Sequence, residues 1–256
     1  MWTRSLLKQN AKNALTGHYW LALAVSFLAG LLGGGTSGVG SFGGIGWREN
    51  FNSKTEGFDS VREFFEQNRE VWIPVVAVVS VLLALAVIGG VCFQIFFGNP
   101  VGVGHNLFYL ENRYGKAEIG HLFRAFRPGY INVVKVLFFK NLSIFLWSLL
   151  LIIPGIVKSY EYFAVGYILA ENPYIDYRRA LELSRQMTDG KKWYIFVLQL
   201  SFIGWWLLCL LSCGMGFIFL NPYMQATFAE MYCALRDAAF EANITSPQEL
   251  PGVAAV

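Results

Sequence analysis

Four ionisable residues interrupt the long apolar stretches of this 256-residue chain: Lys140, Lys158, Glu161 and Glu230. A charge inside a membrane-spanning helix costs free energy, so such residues usually pair with each other or mark a path for ions or substrates. Lys158 and Glu161 are three residues apart, which puts them on one face of a helix, where they can pair. Such a pair either lines a polar cavity and relays a proton, or lies at the membrane interface, where the lysine reaches the head groups.

Glu230 belongs to a second polar region, with Gln225 and Thr227 nearby. It follows Asn221-Pro222, and a broken helix can line a substrate cavity in a transporter. The alternative is an interfacial helix whose polar face meets the cytoplasm. The sequence therefore indicates two regions for function, and for each of them a purely structural interpretation is also open.

The motifs of common enzyme classes are missing from the sequence. The histidines are scattered, and His-Glu-x-x-His, Gly-x-Ser-x-Gly and phosphate-loop patterns do not occur. Cys209 and Cys213 are spaced by four, but no further Cys or His lies nearby to complete a zinc site. We therefore expect a protein without enzymatic activity, metal or cofactor.

The composition indicates the class of protein. Charged residues make up 14% of the chain and hydrophobic residues 55%, whereas a soluble domain usually carries about 25% charged residues. The aromatic content of 16% argues against a disordered chain. The net charge of +3 is small, so we expect no nucleic-acid partner. Of these classes of protein, the composition therefore favours a polytopic membrane protein.

The apolar stretches predict an all-α bundle of six membrane-spanning helices arranged as three hairpins, because about 20 apolar residues cross a bilayer. Pro154-Gly155 is a strong turn signal and divides the stretch 130–171, whose first twelve residues we expect at the interface. If 193–220 is instead one long tilted helix, the chain has five spans. The predicted spans are 18–35, 71–97, 142–153, 156–170, 193–212 and 214–235.

The segments between the spans complete a single integral membrane domain. Residues 99–128 and 172–192 carry four and five basic residues and predict amphipathic helices on the cytoplasmic face. Residues 1–16 predict an amphipathic helix, 36–70 an external glycine-rich loop with a short surface helix, and 237–256 a flexible tail. Since basic residues stay on the cytoplasmic side, we expect a cytoplasmic N-terminus.

Three Asn-Pro pairs each follow an apolar run and open a segment of helical period. Asparagine is a good N-cap and proline suits the first helical turn. The pairs indicate a threefold repeat of hairpin and surface helix, although helix stops and aromatic anchors occur at the interfaces of any polytopic protein. They are Asn99-Pro100, Asn172-Pro173 and Asn221-Pro222.

Long motifs carry a resemblance to a known family. They are LWSLLLIIPGIVKSY at 146–160, YILAENP at 167–173, ALELSRQM at 180–187, LSFIGW at 200–205 and NPY at 221–223. Together they resemble the bacterial membrane family catalogued as domain of unknown function 975. The resemblance implies a six-span inner-membrane protein, mostly of Gram-positive bacteria, and it supplies no catalytic residues.

Two functions fit these expectations. The first is a non-enzymatic module that binds membrane lipids or another membrane protein, such as an exporter, and assists an envelope or export process. The second is a small transporter whose polar path runs between the hairpins. A transporter requires a polar cavity that reaches Lys140, Glu161 or Glu230, whereas a module has a closed apolar core and grooves only at the interface.

Overall fold

The computed structural model describes residues 4–15, 22–24, 66–115, 118–127, 129–211 and 216–252. These residues form helices and the turns between them, without a strand, which confirms the predicted all-α class for this part of the chain. The chain divides into two compact units, Met1–Ser37 with Gln94–Val256, and Gly38–Phe93. The sequence predicts a single domain and does not reveal this division.

The described residues contain helices of very different lengths. A π-helical turn, Gln94–Gly98, precedes α3, and a 3-10 helix, Ile119–Phe126, follows it. The α-helices are α1 (Arg4–Leu15), α2 (Arg69–Phe93), α3 (Asn99–Asn112), α4 (Tyr130–Leu150), α5 (Ile152–Glu161), α6 (Val165–Glu171), α7 (Tyr177–Thr188), α8 (Lys192–Leu200), α9 (Ile203–Leu211) and α10 (Gly216–Glu241).

Within the described part of the chain, three helical stretches are long and apolar enough to cross a membrane. They are Arg69–Asn112, Tyr130–Leu150 and Lys192–Leu211. They overlap the second, third and fifth predicted spans, but Tyr130–Leu150 is one continuous helix, so the prediction that 130–141 lies at the interface and that the third span begins at 142 is wrong. Six spans in three hairpins stay a prediction, because most of the first predicted span and most of the predicted loop at 36–70 lie outside the described residues.

The chain reverses earlier than the sequence predicts. Leu151 has an extended backbone (φ −157°, ψ 140°) between α4 and α5, whereas Pro154 and Gly155 lie inside the first turns of α5. Proline is compatible with a first turn because its missing N–H has no helical partner there. A Cβ on Gly155 would lie 2.1 Å from Ser148 Oγ and 2.7 Å from Ser148 Cα. Glycine therefore acts here by letting α5 pack against α4, and the predicted turn at this position is wrong.

The predicted fourth span is divided between two short helices. α5 ends at Glu161 and α6 begins at Val165, and neither has the length to cross a bilayer alone. The end of α6 nevertheless returns to the start of α4, since Asn132 Nδ2 donates to the carbonyls of Pro173 and Ile175 at 2.9 and 2.8 Å.

α10 contributes a large share of the buried core. It packs against α1, α3, α7 and α9, and Met231 and Tyr232 are fully buried. The Tyr232 ring stacks on Tyr167 of α6 with centroids 4.9 Å apart. Pro222 lies within α10 without ending it, so the predicted break at Asn221-Pro222 is absent.

The segment after α10 is packed up to residue 252. α10 itself continues to Glu241, Leu250 is buried, and Arg179 of α7 donates to both carboxylate oxygens of Glu249 at 2.7 and 2.8 Å. This differs from the flexible tail predicted from residue 237, because the short apolar and acidic segment finds partners on α7.

Candidate functional site

A buried carboxylate joins two helices that are distant in sequence. Lys158 Nζ lies 2.5 Å from Glu161 Oε2, and Lys192 Nζ lies 2.5 Å from Glu161 Oε1. The glutamate is 6% exposed, so its two oxygens are largely removed from water. The predicted pairing of Lys158 with Glu161 is therefore present, and Lys192, the first residue of α8, is an additional partner. We call these three residues the Glu161 clamp.

The backbone of the same residue is held by a third helix. Ser184 Oγ and Thr188 Oγ1 of α7 donate to the carbonyl oxygen of Glu161 at 2.7 and 3.2 Å. Both hydroxyl residues are fully buried. Since the last carbonyls of a helix lack helical partners, these bonds satisfy the end of α5 and fix α7 against it.

The chemistry of the Glu161 clamp favours a structural role. Each oxygen of the carboxylate faces an ammonium group, and such charge-assisted hydrogen bonds stabilise the ionised form. A proton relay needs a group that exchanges its proton easily, whereas this carboxylate is held between two cations. Lys158 also lies 5.5 Å from the centroid of the Trp147 ring, a further attraction for its charge. The arrangement links α5, α7 and α8.

Lys140 does not join the Glu161 clamp. It lies on the buried face of α4 with Val136 and Leu137 and is 6% exposed. Within the described residues it forms no ion pair with a carboxylate. Burying an unpaired charge costs free energy. Among the residues predicted to carry function, this uncompensated cost is largest for Lys140.

Glu230 contacts residues from outside its own helix. Its Oε1 lies 3.4 Å from Arg113 Nε, just after α3, and Asn10 of α1 hydrogen-bonds the same carboxylate. Gln225 instead donates to Asn221 Oδ1 at 3.2 Å, one turn earlier on α10. Glu230 therefore connects α10 to two neighbouring segments, and it does not lie beneath a helix break.

Two further ionic groups were not predicted. Glu171, the last residue of α6, accepts a hydrogen bond from Arg236 of α10 at 2.6 Å, and both side chains are buried. Glu111 of α3 lies 2.9 Å from His121 Nδ1 and 3.1 Å from Arg124 Nη1. The sequence contains a signal for the pair of Glu171 and Arg236. A carboxylate at the C-terminus of a helix is unfavourable next to the negative end of the helix dipole, so it requires a positively charged partner.

The three Asn-Pro pairs have three different structural roles. Asn99-Pro100 begins α3 directly after the π-helical turn, and the asparagine does not cap. Asn172 ends α6, accepts from the Tyr174 N–H at 3.1 Å and donates to the Glu249 carbonyl at 3.1 Å. The N-cap of α7 is instead Asp176, and the third pair lies inside α10. The common capping role expected for the pairs is therefore not found.

Within the described residues, no three His, Cys, Asp or Glu side chains are placed so that they could hold a metal ion. Cys92, Cys209 and Cys233 are free thiols. The chemistry of the described sites is therefore that of ion pairs, buried hydroxyls and apolar surface.

The fold and its long apolar helices indicate a helical membrane protein. Residues 130–239 match the model of the family described as Protein of unknown function (DUF975). The match covers the part of the chain from the first residue of α4 into α10, which contains the Glu161 clamp, and the matched family is the one that the motifs resemble. No curated protein and no solved structure matches the chain.

Proposed function

We propose that the protein is a non-enzymatic, lipid-binding module of the bacterial inner membrane that assists an envelope or export process. The observation that supports this is a continuous band of exposed apolar side chains where α4 meets α5. Each member is more than 60% exposed, and contiguous apolar surface of this kind marks contact with lipid or with another protein. The band consists of Leu149, Leu150, Leu151, Ile152 and Ile153.

The Glu161 clamp lies at one border of the apolar band. Lys158 follows Leu151 by seven residues, about 10 Å along a helix that rises 1.5 Å per residue. In this proposal the band lies in hydrocarbon and the ammonium group of Lys158 reaches toward the head groups. The clamp then serves to hold the membrane-embedded helices to α7.

A cytoplasmic N-terminus is part of the proposal. It is supported by Arg4, Lys8 and Lys12 on α1 and by the basic residues of 172–192, since basic segments remain on the cytoplasmic side. A single cysteine at Gly190, in a chain whose native cysteines are replaced by alanine, should label with an impermeant maleimide only after the cells are opened. Labelling in intact spheroplasts would contradict this orientation.

The membrane role of the apolar band is tested by substitution. Ile153→Lys places a charge in the exposed band and is expected to reduce the fraction of protein that integrates into the membrane. Tyr174→Lys is the matched control, because Tyr174 is 67% exposed but lies in the turn before α7. Equal membrane fractions for the two variants would argue against a lipid-facing band.

A small transporter is the second candidate, and the buried, uncompensated Lys140 favours it. Proteoliposomes containing a pH-sensitive dye distinguish the two functions. The module predicts no proton flux above that of protein-free vesicles. A flux that Lys140→Met abolishes would establish transport, and a flux unchanged in Glu161→Gln and Lys158→Met would exclude a path through the clamp.

A further inference from the structure

An apolar groove lies between α1, α9 and α10. Its volume is about 430 Å³, within the size range of small-molecule pockets. Trp205, Leu208 and Cys209 form one wall, Phe219 and Tyr223 the opposite wall, and Lys12 lies at the edge. Cys209 is buried, whereas Trp205, Leu208 and Phe219 are each more than half exposed. The groove therefore opens outward, along a stretch that is apolar enough to cross a membrane.

The edge of the groove continues into a row of positive charges. Arg4, Lys8 and Lys12 are spaced by four residues and so lie on one face of α1, where like charges repel. Burial, and then the charges of Arg4 and Lys12, lower the pKa of Lys8. Within the described residues, none of the three forms an ion pair with a carboxylate. We call them the cationic stripe.

The stripe and the groove are held together by packing. Leu7 and Ala11, which directly precede Lys8 and Lys12 and lie on the adjacent flank of α1, are buried, and α1 packs on α10. Lys8 Nζ lies 4.6 Å from the centroid of the Phe202 ring, and Phe202 packs edge-on against Tyr223 at 5.7 Å. Lys8 is therefore linked to the Tyr223 side of the groove through the Phe202 ring.

We infer that the groove and the cationic stripe together bind one anionic phospholipid, with an acyl chain in the groove and the phosphate at Lys12. This inference rests on the proposed lipid-binding function and assigns it a site. The apolar walls suit a hydrocarbon chain, and the unpaired cations suit a phosphate, so the site combines the two chemistries of a single lipid molecule. A zwitterionic lipid has the same acyl chain, but its head group presents less negative charge to the cationic stripe.

Native mass spectrometry of the delipidated full-length protein tests the site. Phosphatidylglycerol and phosphatidylcholine with identical acyl chains are titrated separately, and the fraction of protein carrying one lipid is measured. Wild type is expected to bind phosphatidylglycerol at least about fivefold more tightly, as a contribution of about one charge interaction near an anionic head group implies.

Two variants test separately the contact with the acyl chain of the lipid and the contact with its head group. Leu208→Trp fills the groove and is expected to weaken both lipids about fivefold or more, whereas the control Leu207→Trp, equally exposed and outside the groove, should not. Lys12→Glu is expected to weaken only phosphatidylglycerol, to the level of phosphatidylcholine. Its control is Arg185→Glu, the same charge change on the exposed face of α7.

The outcomes distinguish the site from the function. If wild type binds phosphatidylglycerol but Leu208→Trp and Lys12→Glu bind it as their controls do, the site is wrong while lipid binding stands. If wild type binds neither lipid, the proposed function fails as well. A dimer that Leu208→Trp dissociates in the same spectra would assign the groove to a second copy of the chain and overturn the inference.

Discussion

Replacing Glu161 by glutamine removes the negative charge that two ammonium groups share. Glutamine has nearly the same shape, so the hydrogen bonds from Ser184 and Thr188 to the backbone carbonyl remain possible. Lys158 and Lys192 then face each other without a counter-charge. The variant therefore isolates the electrostatic contribution of the Glu161 clamp from its packing.

The expected loss in the free energy of unfolding of Glu161→Gln follows from the exposure of the three side chains. Breaking a fully buried ion pair costs about 3–5 kcal/mol, and breaking an exposed one about 0.2–1 kcal/mol. The Glu161 side chain is 8% exposed, but those of Lys158 and Lys192 are 19% and 29% exposed and stay partly hydrated. We therefore expect the free energy of unfolding to fall by about 2–3 kcal/mol. For a chain of this size, that lowers the unfolding midpoint by about 4–12 °C.

Thermal unfolding in one detergent, followed by circular dichroism, measures this effect. Glu182→Gln on α7 is the control, since it removes an exposed carboxylate whose partner is the neutral Gln186. Adding Lys158→Met to Glu161→Gln should restore part of the loss, because one of the two unpaired cations is removed. A loss below about 0.5 kcal/mol for Glu161→Gln would refute the structural role of the clamp.

Three other substitutions give independent tests. Lys140→Met removes an uncompensated buried charge and is expected to raise the free energy of unfolding by about 1–3 kcal/mol in the same thermal assay, whereas a loss would reveal a partner for this lysine. Gly155→Ala places a Cβ against Ser148 and should cost about 1–3 kcal/mol, while Gly204→Ala, which meets no atom within 4 Å, should cost nothing. The hydrogen bond from Arg179 lowers the pKa of Glu249, so the ionised carboxylate stabilises the fold above its unfolded pKa of about 4.3 and this stabilisation is lost as the pH falls through the lower folded value. Amide protection in 242–252, measured relative to the intrinsic exchange rate at each pH, should therefore fall below about pH 4 in wild type and already at pH 7 in Glu249→Gln. Identical protection in the two proteins at pH 7 would contradict a stabilising contact between Arg179 and Glu249.

The helices were predictable where one local pattern dominates. The stretch 71–97 has no charge, so it fits one long apolar helix. The alternation of apolar and charged residues in 172–192 predicts the amphipathic α7, whose Ala180, Leu183 and Met187 are buried. In both stretches the helical period and the burial depend on residues within two or three turns of one another.

The turn between α4 and α5 was mispredicted because Pro-Gly has two physical uses. Proline ends a helix that precedes it, but it also fits the first turn of a helix that follows. Which use applies depends on whether a neighbouring helix requires the small size of Gly155. That neighbour, Ser148, acts through tertiary contact, and no local pattern reveals it.

The candidate site was predictable only within one helix. The spacing of Lys158 and Glu161 shows that they can pair, whereas Lys192 is 31 residues from Glu161 and Arg236 is 65 residues from Glu171. Such pairings depend on how the helices pack. Burial of Glu161 and Glu171 gives the reason for them, since a buried carboxylate needs a cation, but the sequence does not identify which one.

The proposed lipid-binding function can be tested by identifying which lipids stay bound to the protein after extraction. Wild-type protein is purified from bacterial membranes in mild detergent, and the bound lipids are extracted and quantified by mass spectrometry beside those of the whole membrane. We expect about one retained phospholipid per chain, with anionic lipids enriched over their share of the membrane. Protein that retains no lipid, or lipids in the same proportions as the membrane, would contradict it.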